Sequence, residues 1–495
     1  MPSLAAPGLS PARRLHASLA VLLALALHSL PNAAYGQPGQ QGRQGVPAGQ
    51  TPATSSAPTG HPGSPGSAAL TPLAEAFVWA YPYYEFMWLR HQALANPQSL
   101  TYTRLNQYRH QRHQAGPQDR WANGPIRDTL YSTAWIDLAP APVLLQFPDT
   151  GGRYYVVAFV GADTSTFHLV GRRSTGTQAR TLALVGPQWQ GAIPAADDTV
   201  RAPSNDVYLN MRLLVEGEAD MPAMHALQDR FTITPQPAKH AVAAQQVVPD
   251  AANPATVIDA INEALARNPV AVPEQPRLAR YQPLGLCGAG CSWQQLPPAT
   301  QQAWAQAIPR LMHQFKGSLR DRSAKVPQTH GWAAFRLPAD ISSNYRMRAA
   351  SAANSGGMFG LEAAEATYFM ALADGNDELL GQGRHYRLHL PQGGLPADAF
   401  WSITLYEFTE GGEYMLDNPL GRYSISPRSP GLRHNADGSL DIWIGPTPPA
   451  DGRQANWLPS PAHSRFYLNA RIYQPRAEVL QPSWAMPAIE RLPAP

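Results

Sequence analysis

The chain has 495 residues, of which 44% are hydrophobic and 15% are charged. A chain of this length and composition can form two or three globular domains with their own cores, which excludes disorder throughout. Its formal net charge is +3, so it lacks the strongly basic balance that recognition of DNA or RNA requires, and we expect no nucleic-acid partner.

Residues 1–36 have the pattern of a secretory signal peptide. Arg13 and Arg14 precede an apolar run at 15–27, and small residues follow it. The run is shorter than the roughly 20 residues that cross a bilayer, and no later run reaches that length, so we predict no transmembrane segment and a periplasmic or secreted protein. Residues 37–70 consist almost entirely of Gln, Gly, Pro, Ser, Thr and Ala, which predicts a disordered tether.

We predict a first domain at residues 71–235, opened by a helix. Thr71 is a suitable N-cap and Pro72 suits the first helical turn. The apolar residues of this helix recur at helical spacing and predict one apolar face. Short apolar runs broken by Gly, Pro, Asp and Ser then predict the strands of an antiparallel sheet or sandwich, at 153–160, 166–170, 181–185 and 206–215.

Residues 236–335 predict a helical connector, because apolar residues again recur at helical spacing. This segment contains Cys287 and Cys291, the chain's two cysteines, in the string CGAGC. In an oxidising compartment a local disulfide is the simplest interpretation. A zinc site usually takes four ligands and the nearby sequence supplies no histidine cluster, so we predict no metal site and no cofactor.

We predict a C-terminal β domain at residues 336–495. The strand at 465–473 has the clearest alternation: Phe466, Leu468, Ala470 and Ile472 fall on one face, whereas Arg471 and Tyr473 fall on the other. The second face could contact a ligand or could be the solvated side of an edge strand. The other predicted strands of this domain lie at 385–390, 400–406 and 440–444.

The common catalytic signatures are missing from the sequence: it has no HExxH zinc helix, no GxSxG elbow, no phosphate-binding P-loop and no GxGxxG fingerprint. The stretch GPIRDTLYSTAWIDL places Asp128 on a turn before a strand that carries Tyr131. Asp128 is either a turn residue that accepts backbone hydrogen bonds or a partly desolvated carboxylate that acts as acid or base with Tyr131 beside it.

Further candidates would bind the ligand. Arg422, Arg471 and Tyr473 could anchor an anionic or hydroxyl-rich group, because a guanidinium forms a planar fork that suits oxyanions. Trp401 could present an aromatic face to a sugar, although a buried tryptophan is as good an interpretation. These assignments remain hypotheses because each residue type also serves ordinary packing.

Several longer stretches of the sequence resemble those of known protein families. The first domain contains AYPYYEF, DTLYSTAWIDL and MPAMHALQDRF, and the last contains AFWSITLYE, DNPLGRYSIS and NWLPSPAHSRFYLNARIY. Through these runs residues 73–235 resemble the domain-of-unknown-function family 1254, and residues 349–479 resemble its usual partner, family 1214. Members often carry two asparagines where Ile126 and Arg127 stand here, whereas Asp128 is kept.

The resemblance implies a secreted or envelope-associated bacterial protein, and no general reaction is assigned to the families. Its fold would be mainly β with helical segments: two antiparallel β-sandwich or jelly-roll-like domains joined by a helical connector. We expect a hydrolytic enzyme with a polar-ligand cleft between the two β domains. The alternative is a non-catalytic envelope protein that binds a glycan, a lipid headgroup or a protein. Neither substrate nor oligomeric state follows from the sequence.

Overall fold

A computed structural model describes residues 71–120, 124–238, 240–315, 328–353, 360–409, 412–450 and 452–493. The predicted signal peptide and tether, residues 1–70, lie outside the described residues. The chain from Thr71 onward forms one compact unit. We call residues 71–315 the N-terminal half and residues 328–493 the C-terminal half.

The N-terminal half opens with the predicted helix. Thr71 caps it by accepting a hydrogen bond from the N–H of Ala74, and Pro72 is its first residue. The helices and strands of this half, in chain order, are α1 Pro72–Leu94, β1 Arg109–His110, β2 Thr129–Asp137, β3 Val143–Phe147, β4 Tyr155–Val160, β5 Thr166–Gly171, β6 Arg180–Val185, β7 Asp198–Arg201, β8 Asp206–Leu214, α2 Met221–Gln228, β9 Thr232–Pro235, α3 Pro254–Arg267, α4 Gln275–Tyr281 and α5 Pro298–Phe315.

Two sheets form the β part of this half. Sheet 1 has the order β1-β2-β8-β4-β5 and sheet 2 has the order β7-β6-β3-β9. Every neighbouring pair is antiparallel except β6 and β7. One face of sheet 1 contributes Leu130, Val157 and Leu209 to an apolar core, to which sheet 2 contributes Leu145 and Leu184. We call this the inner face of sheet 1 and the opposite one its outer face.

Helix α1 is buried on all sides, so the prediction of a single apolar face was wrong. Besides Phe77, Tyr81 and Tyr84, the helix also buries Trp79 and Phe86. The reason is tertiary: α3, α5 and a helix of the C-terminal half all pack against α1, and Phe86 contacts Trp135 on the outer face of sheet 1, with ring centroids 5.0 Å apart.

The C-terminal half contains β10 Trp332–Phe335, α6 Tyr345–Ala353, β11 Ala366–Ala371, β12 Tyr386–Leu390, β13 Ala397–Thr409, β14 Gly412–Met415, β15 Ser424–Ile425, β16 Leu440–Gly445, β17 Trp457–Pro459, β18 Phe466–Pro475 and β19 Ile489–Arg491. Sheet 3 has the order β10-β11-β18-β13-β14, with β15 also paired to β13, and sheet 4 has the order β17-β16-β12-β19. An apolar core lies between them. The described chain is therefore mainly β with several antiparallel sheets and helices, whereas a jelly-roll or sandwich topology and a connector role for α3–α5 remain predictions.

Strand β18 shows how the tertiary structure resolved an ambiguity. Its residues Phe466, Leu468, Ala470 and Ile472 enter the core between sheets 3 and 4, as the alternation predicted. The opposite face is buried too, because β18 lies between β11 and β13 in the sheet and its second face packs on the N-terminal half. The interpretation of that face as the solvated side of an edge strand was wrong.

The predicted disulfide joins Cys287 to Cys291. Its loop is also held by Asn262 of α3, whose Oδ1 accepts from the N–H groups of Cys287 and Gly288, each at 3.0 Å. The side-chain nitrogen of Asn262 donates to the carbonyl of Gly285 at 2.8 Å. The loop is therefore fixed by hydrogen bonds as well as by the covalent bond.

Candidate functional site

The turn before β2 joins the two halves of the molecule. The carbonyl of Gly124 accepts a hydrogen bond from Arg471 Nη2 at 2.6 Å, and the carbonyl of Pro125 accepts from the Tyr406 hydroxyl at 2.7 Å. Ile126 is buried between the sheets. Because these partners belong to β13 and β18, the turn is a contact between the halves rather than an exposed surface turn.

Asp128 forms an ion pair across the same interface. Its Oδ1 accepts from Arg428 Nη2 at 2.7 Å, and its side chain is 4% exposed. The guanidinium of Arg428 also lies 4.8 Å from the ring centre of Phe400. Arg127 differs: its Nη1 donates to the carbonyl of Ala115 at 2.9 Å, and its guanidinium lies 5.1 Å from the centre of the Tyr423 ring. Asp128 is thus the buried member of the charged pair, and its side chain forms an ion pair with the C-terminal half.

Tyr131 and Tyr473 come together from the two halves, as the predicted site requires. Both belong to the apolar cluster between sheets 1 and 3. Arg212, opposite Tyr131 in the β2–β8 ladder, lies 5.6 Å from the centre of the Tyr131 ring. Burial raises the pKa of Tyr473 well above its ordinary value, so its phenol remains protonated and can donate a hydrogen bond at neutral pH.

Arg471 carries a buried charge between the halves. It is 5% exposed, and besides Gly124 its guanidinium contacts Thr404 Oγ1 at 3.4 Å and the Tyr406 ring, whose centre is 5.5 Å away. Within the described residues it makes no ion pair with a carboxylate. Three predicted residues, Tyr131, Arg471 and Tyr473, therefore form one buried Tyr–Arg cluster, and Asp128 lies beside it.

Two predicted ligand-binding residues lie elsewhere and have other roles. Trp401 is 4% exposed and packs in the core between sheets 3 and 4, so it presents no aromatic face to a ligand, which corrects the prediction. Arg422 is half-buried and its Nη1 donates to the backbone carbonyls of Gln454 and Trp457, the latter at 3.0 Å. Arg422 fixes a loop and does not join the Tyr–Arg cluster.

A cavity of about 510 Å³ lies between the two halves at β5, the edge strand of sheet 1. We call it the seam cavity. The N-terminal half lines it with residues of β5, with residues of the loops on either side and with Asp198 of β7. The C-terminal half lines it with residues 337–339, Ile341, Ser351, Gly360 and Glu362. A cavity of this size fits the range that holds small ligands. The predicted site residues do not line it.

Two polar groups that line the seam cavity have no hydrogen-bond partner in the part of the chain that the structure describes. They are the Oγ1 of Thr164 and the Nε2 of His168, both buried. Thr164 is 7% exposed and has a positive φ of 65°, a conformation that is uncommon for a residue with a side chain. Burial lowers the pKa of His168 below its ordinary value, so the imidazole is neutral at pH 7 and can accept or donate a hydrogen bond.

The charged groups of the seam cavity are largely paired. Arg173 forms an ion pair with Glu362 and donates to Glu365 Oε2 at 2.6 Å. Glu365 also accepts from the hydroxyl of Tyr154 at 2.7 Å. Both glutamates belong to the segment EAAEATY, residues 362–368, and here they tie the C-terminal half to sheet 1. Asp198, at the rim, is exposed.

Among the site residues that the sequence analysis did not select, two carry a weak signal in the sequence. In β8 the core residues Leu209, Met211 and Leu213 alternate with Asn210 and Arg212, which places two polar groups on a buried face. Such a strand indicates that a second element covers the polar face. His168 and Thr164 carried no comparable pattern, because their burial depends on the C-terminal half.

The described residues contain neither a cluster of metal-ligating side chains nor a helix that could span a membrane. No group of three or more His, Cys, Asp or Glu side chains lies close enough to hold a metal ion there. No helix within the described ranges has the length and apolar character that crossing a membrane requires.

Residues 105–235 match the model of a protein family of unknown function, DUF1254, and residues 365–477 match that of another, DUF1214. Two solved structures are similar. The VPA0106 protein of Vibrio parahaemolyticus is 21% identical, with a TM-score of 0.65, over 85% of this chain and 99% of its own. An uncharacterised protein of Burkholderia cenocepacia is 14% identical, with a TM-score of 0.42, over 85% and 96%. No curated protein matches the chain. The likeness to the Vibrio protein supports the fold alone.

Proposed function

For a chain that carries a DUF1254 region followed by a DUF1214 region, both of unknown function, we propose that the function is to bind a small, hydroxyl-rich ligand in the seam cavity. One observation carries this proposal: a cavity of about 510 Å³ between the halves contains two buried polar atoms, Thr164 Oγ1 and His168 Nε2, without hydrogen-bond partners among the described residues. A buried polar atom without a partner costs about 1–3 kcal/mol, and a bound ligand or ordered water would remove that cost.

The lining indicates the chemistry of the ligand. Hydroxyl groups of Thr166, Ser174 and Thr175 add hydrogen-bonding capacity, while Phe167 and Leu337 supply apolar surface. The charge of Arg173 is balanced by two glutamates, so a strongly charged ligand gains little from it. A neutral molecule with several hydroxyls and one apolar face, such as a sugar, matches this surface. A periplasmic or secreted location, which the leader predicts, would expose the protein to such molecules.

The first experiment incubates the purified chain with a metabolite and cell-wall extract and uses mass spectrometry to compare bound and consumed masses. Ala339 is exposed at the cavity rim, so Ala339→Trp should narrow the entrance without disturbing a core. Ala241→Trp, at an exposed position away from the lining, is the matched control. We expect a retained mass that Ala339→Trp loses and Ala241→Trp keeps. Equal retention by all three proteins would reject the seam cavity as the site.

Hydrolysis is a second candidate, favoured by the neutral imidazole of His168. A buried, unprotonated base in a ligand cavity can remove a proton from water as the water oxygen attacks the substrate. The bond to the leaving group then breaks, and the leaving group takes up a proton. In this proposal the general base is His168, whereas Asp128 and Tyr131 position the halves.

The same mass spectrometry separates binding from hydrolysis. An enzyme would consume one mass and release products whose masses together exceed it by one water. His168→Gln keeps a hydrogen-bonding side chain but removes the base, so consumption should fall by about 100-fold, in line with the 10²–10⁴-fold contribution of general bases, while retention persists. Unchanged consumption in His168→Gln would exclude His168 as the base.

A further inference from the structure

The outer face of sheet 1 carries a second group of polar side chains, away from the seam cavity lining. The ladder registers pair Arg109 with Thr133, Thr133 with Asn210, and Asn210 with Ala158. Residues directly opposite each other in antiparallel strands project from the same face. Arg109, Thr133, Asn210 and Ala158 therefore form one row across the sheet, with Arg109 on the edge strand β1.

Asn210 is the clearest sign that the row is incomplete. It is 1% exposed, and among the described residues neither its Nδ2 nor its Oδ1 has a hydrogen-bond partner. A buried primary amide that leaves both its donors and its acceptor unused is costly. Its neighbours in the row, Thr133 and Ala158, have small side chains, and Thr133 is half-buried.

A second unpartnered amide lies one row away. Gln111 follows β1, and its N–H donates to the carbonyl of Tyr131 at 2.8 Å. The residue is 6% exposed, and its Nε2 has no hydrogen-bond partner within the described ranges. Because Tyr131 is paired with Arg212 in the β2–β8 ladder, two amides and two guanidinium groups belong to adjacent rows of one face.

The charge of this region is positive. Within the described residues Arg109 forms no ion pair. The acids at the other end of the face, Asp137 and Asp206, are held by two other arginines. Asp119, which interacts electrostatically with Arg109, already accepts from His113 Nε2 and from the N–H of Gly116, each at 2.9 Å.

We propose that Arg109, Gln111, Asn210 and Arg212 form a binding site for a small oxyanion, a carboxylate or a phosphate. Guanidinium and amide N–H groups donate to the anion, and Asn210 Oδ1 accepts from a hydroxyl of the same molecule. A 2-hydroxycarboxylate or a phosphate monoester has both features. This site is separate from the seam cavity and does not depend on the ligand proposed there.

The test measures thermal unfolding and binding heats of the full chain with sodium glycolate, with sodium phosphate and with sodium chloride at matched ionic strength. We expect glycolate or phosphate to raise the melting temperature where chloride does not. Arg109→Met, Gln111→Leu and Asn210→Leu should each weaken the binding at least tenfold. Arg104→Met, which changes an exposed arginine of the same segment, should leave the affinity unchanged.

The outcomes distinguish the sources of the anion and the two proposed sites. Binding of glycolate alone would identify a hydroxycarboxylate site, and binding of phosphate alone a phosphate site. Ala339→Trp, which closes the seam cavity, should leave the anion affinity intact. Asn210→Leu should fold at least as stably as the wild type, because it removes two unpartnered polar atoms; if it does not fold, Arg109→Met and Gln111→Leu decide the question. No shift beyond chloride, or unchanged affinity in these variants, would overturn the proposal.

Discussion

The two ends of the outer face of sheet 1 use arginine in opposite ways. At one end Asp137 and Asp206, which are directly paired in the β2–β8 ladder, are held by Arg90 and Arg267. At the other end Arg212 lies over the ring of Tyr131. In the first arrangement each buried charge is paired with an opposite charge of the protein. In the second the guanidinium lies against a phenol ring.

The two ends differ in how their buried charges are balanced. Burial and the neighbouring Asp206 raise the pKa of Asp137, whereas for Asp206 the arginines outweigh burial and lower the pKa. The two acids and the two arginines neutralise one another's charge, and their ion pairs hold α1 and α3 to the sheet. At the other end Arg109, a member of the proposed anion site, forms no such ion pair within the described residues.

The largest loss of stability is expected when one arginine of the ion-pair group around Asp137 and Asp206 is removed. Arg267→Met would leave two buried carboxylates with Arg90, which reaches Asp137 at 4.0 Å. Removing one partner of a buried ion pair costs about 3–5 kcal/mol, so the free energy of unfolding should fall by that amount. Urea unfolding followed by circular dichroism measures it. A loss below about 1 kcal/mol would show that the cluster is not a closed ion-pair group.

The next effect concerns the ion pair between the halves. Asp128→Asn removes the charge that faces Arg428 and should reduce the free energy of unfolding by about 2 kcal/mol, because Arg428 stays partly buried without its carboxylate. Arg127→Ala is the matched control, because Arg127 donates to the carbonyl of Ala115 and lies over the Tyr423 ring but forms no ion pair within the described residues, and its loss should cost about 1 kcal/mol. We also predict that Asp128→Asn reduces any activity or binding more than Arg127→Ala does; the reverse order would contradict both statements.

We expect Arg471→Met to cost less stability than Arg267→Met. Arg471 is more deeply buried than Arg267 but contacts a carbonyl and a hydroxyl, so Arg471→Met leaves no carboxylate behind. The loss of charged hydrogen bonds is offset by the desolvation cost that a buried guanidinium no longer adds. We expect a change of about 1 kcal/mol in the same urea experiment. A loss as large as that of Arg267→Met would mean that Arg471 has an unrecognised anionic partner in the protein.

The smallest change in stability is expected from His110, on the inner face of sheet 1, and it depends on pH. His110 Nδ1 and Ser132 Oγ are 2.7 Å apart, and burial, with a smaller effect from Arg112, lowers the pKa of His110 to about 4. Between the unfolded value of about 6.5 and this lower value, the unfolded chain binds a proton that the folded chain does not. Stability should therefore fall as the pH drops from 6.5 to 4.

The His110 contribution should be about 1 kcal/mol after allowance for the partial exposure of the ring. His110→Gln should remove that part of the pH dependence, which urea midpoints at pH 4.5 and pH 7 would reveal. An identical difference between the two midpoints in the wild type and His110→Gln would assign the pH dependence to other groups.

The sequence by itself determined the local features of this protein. Thr71 and Pro72 specified the start of α1, alternation specified β18, and the two cysteines specified the disulfide, because each depends on residues a few positions apart. The resemblance to the two families also followed from local runs. It was matched at residues 105–235 and 365–477, in the predicted order.

Only the tertiary structure decided which faces are covered and what each polar residue does. Trp401 and Tyr473 are both aromatic residues of predicted strands, yet one lies in the core between sheets 3 and 4 and the other lies between the halves. Alternation shows that two residues share a face but not what packs on that face. The seam cavity and the row through Asn210 depend on contacts between segments far apart in the chain, so no local pattern could reveal them.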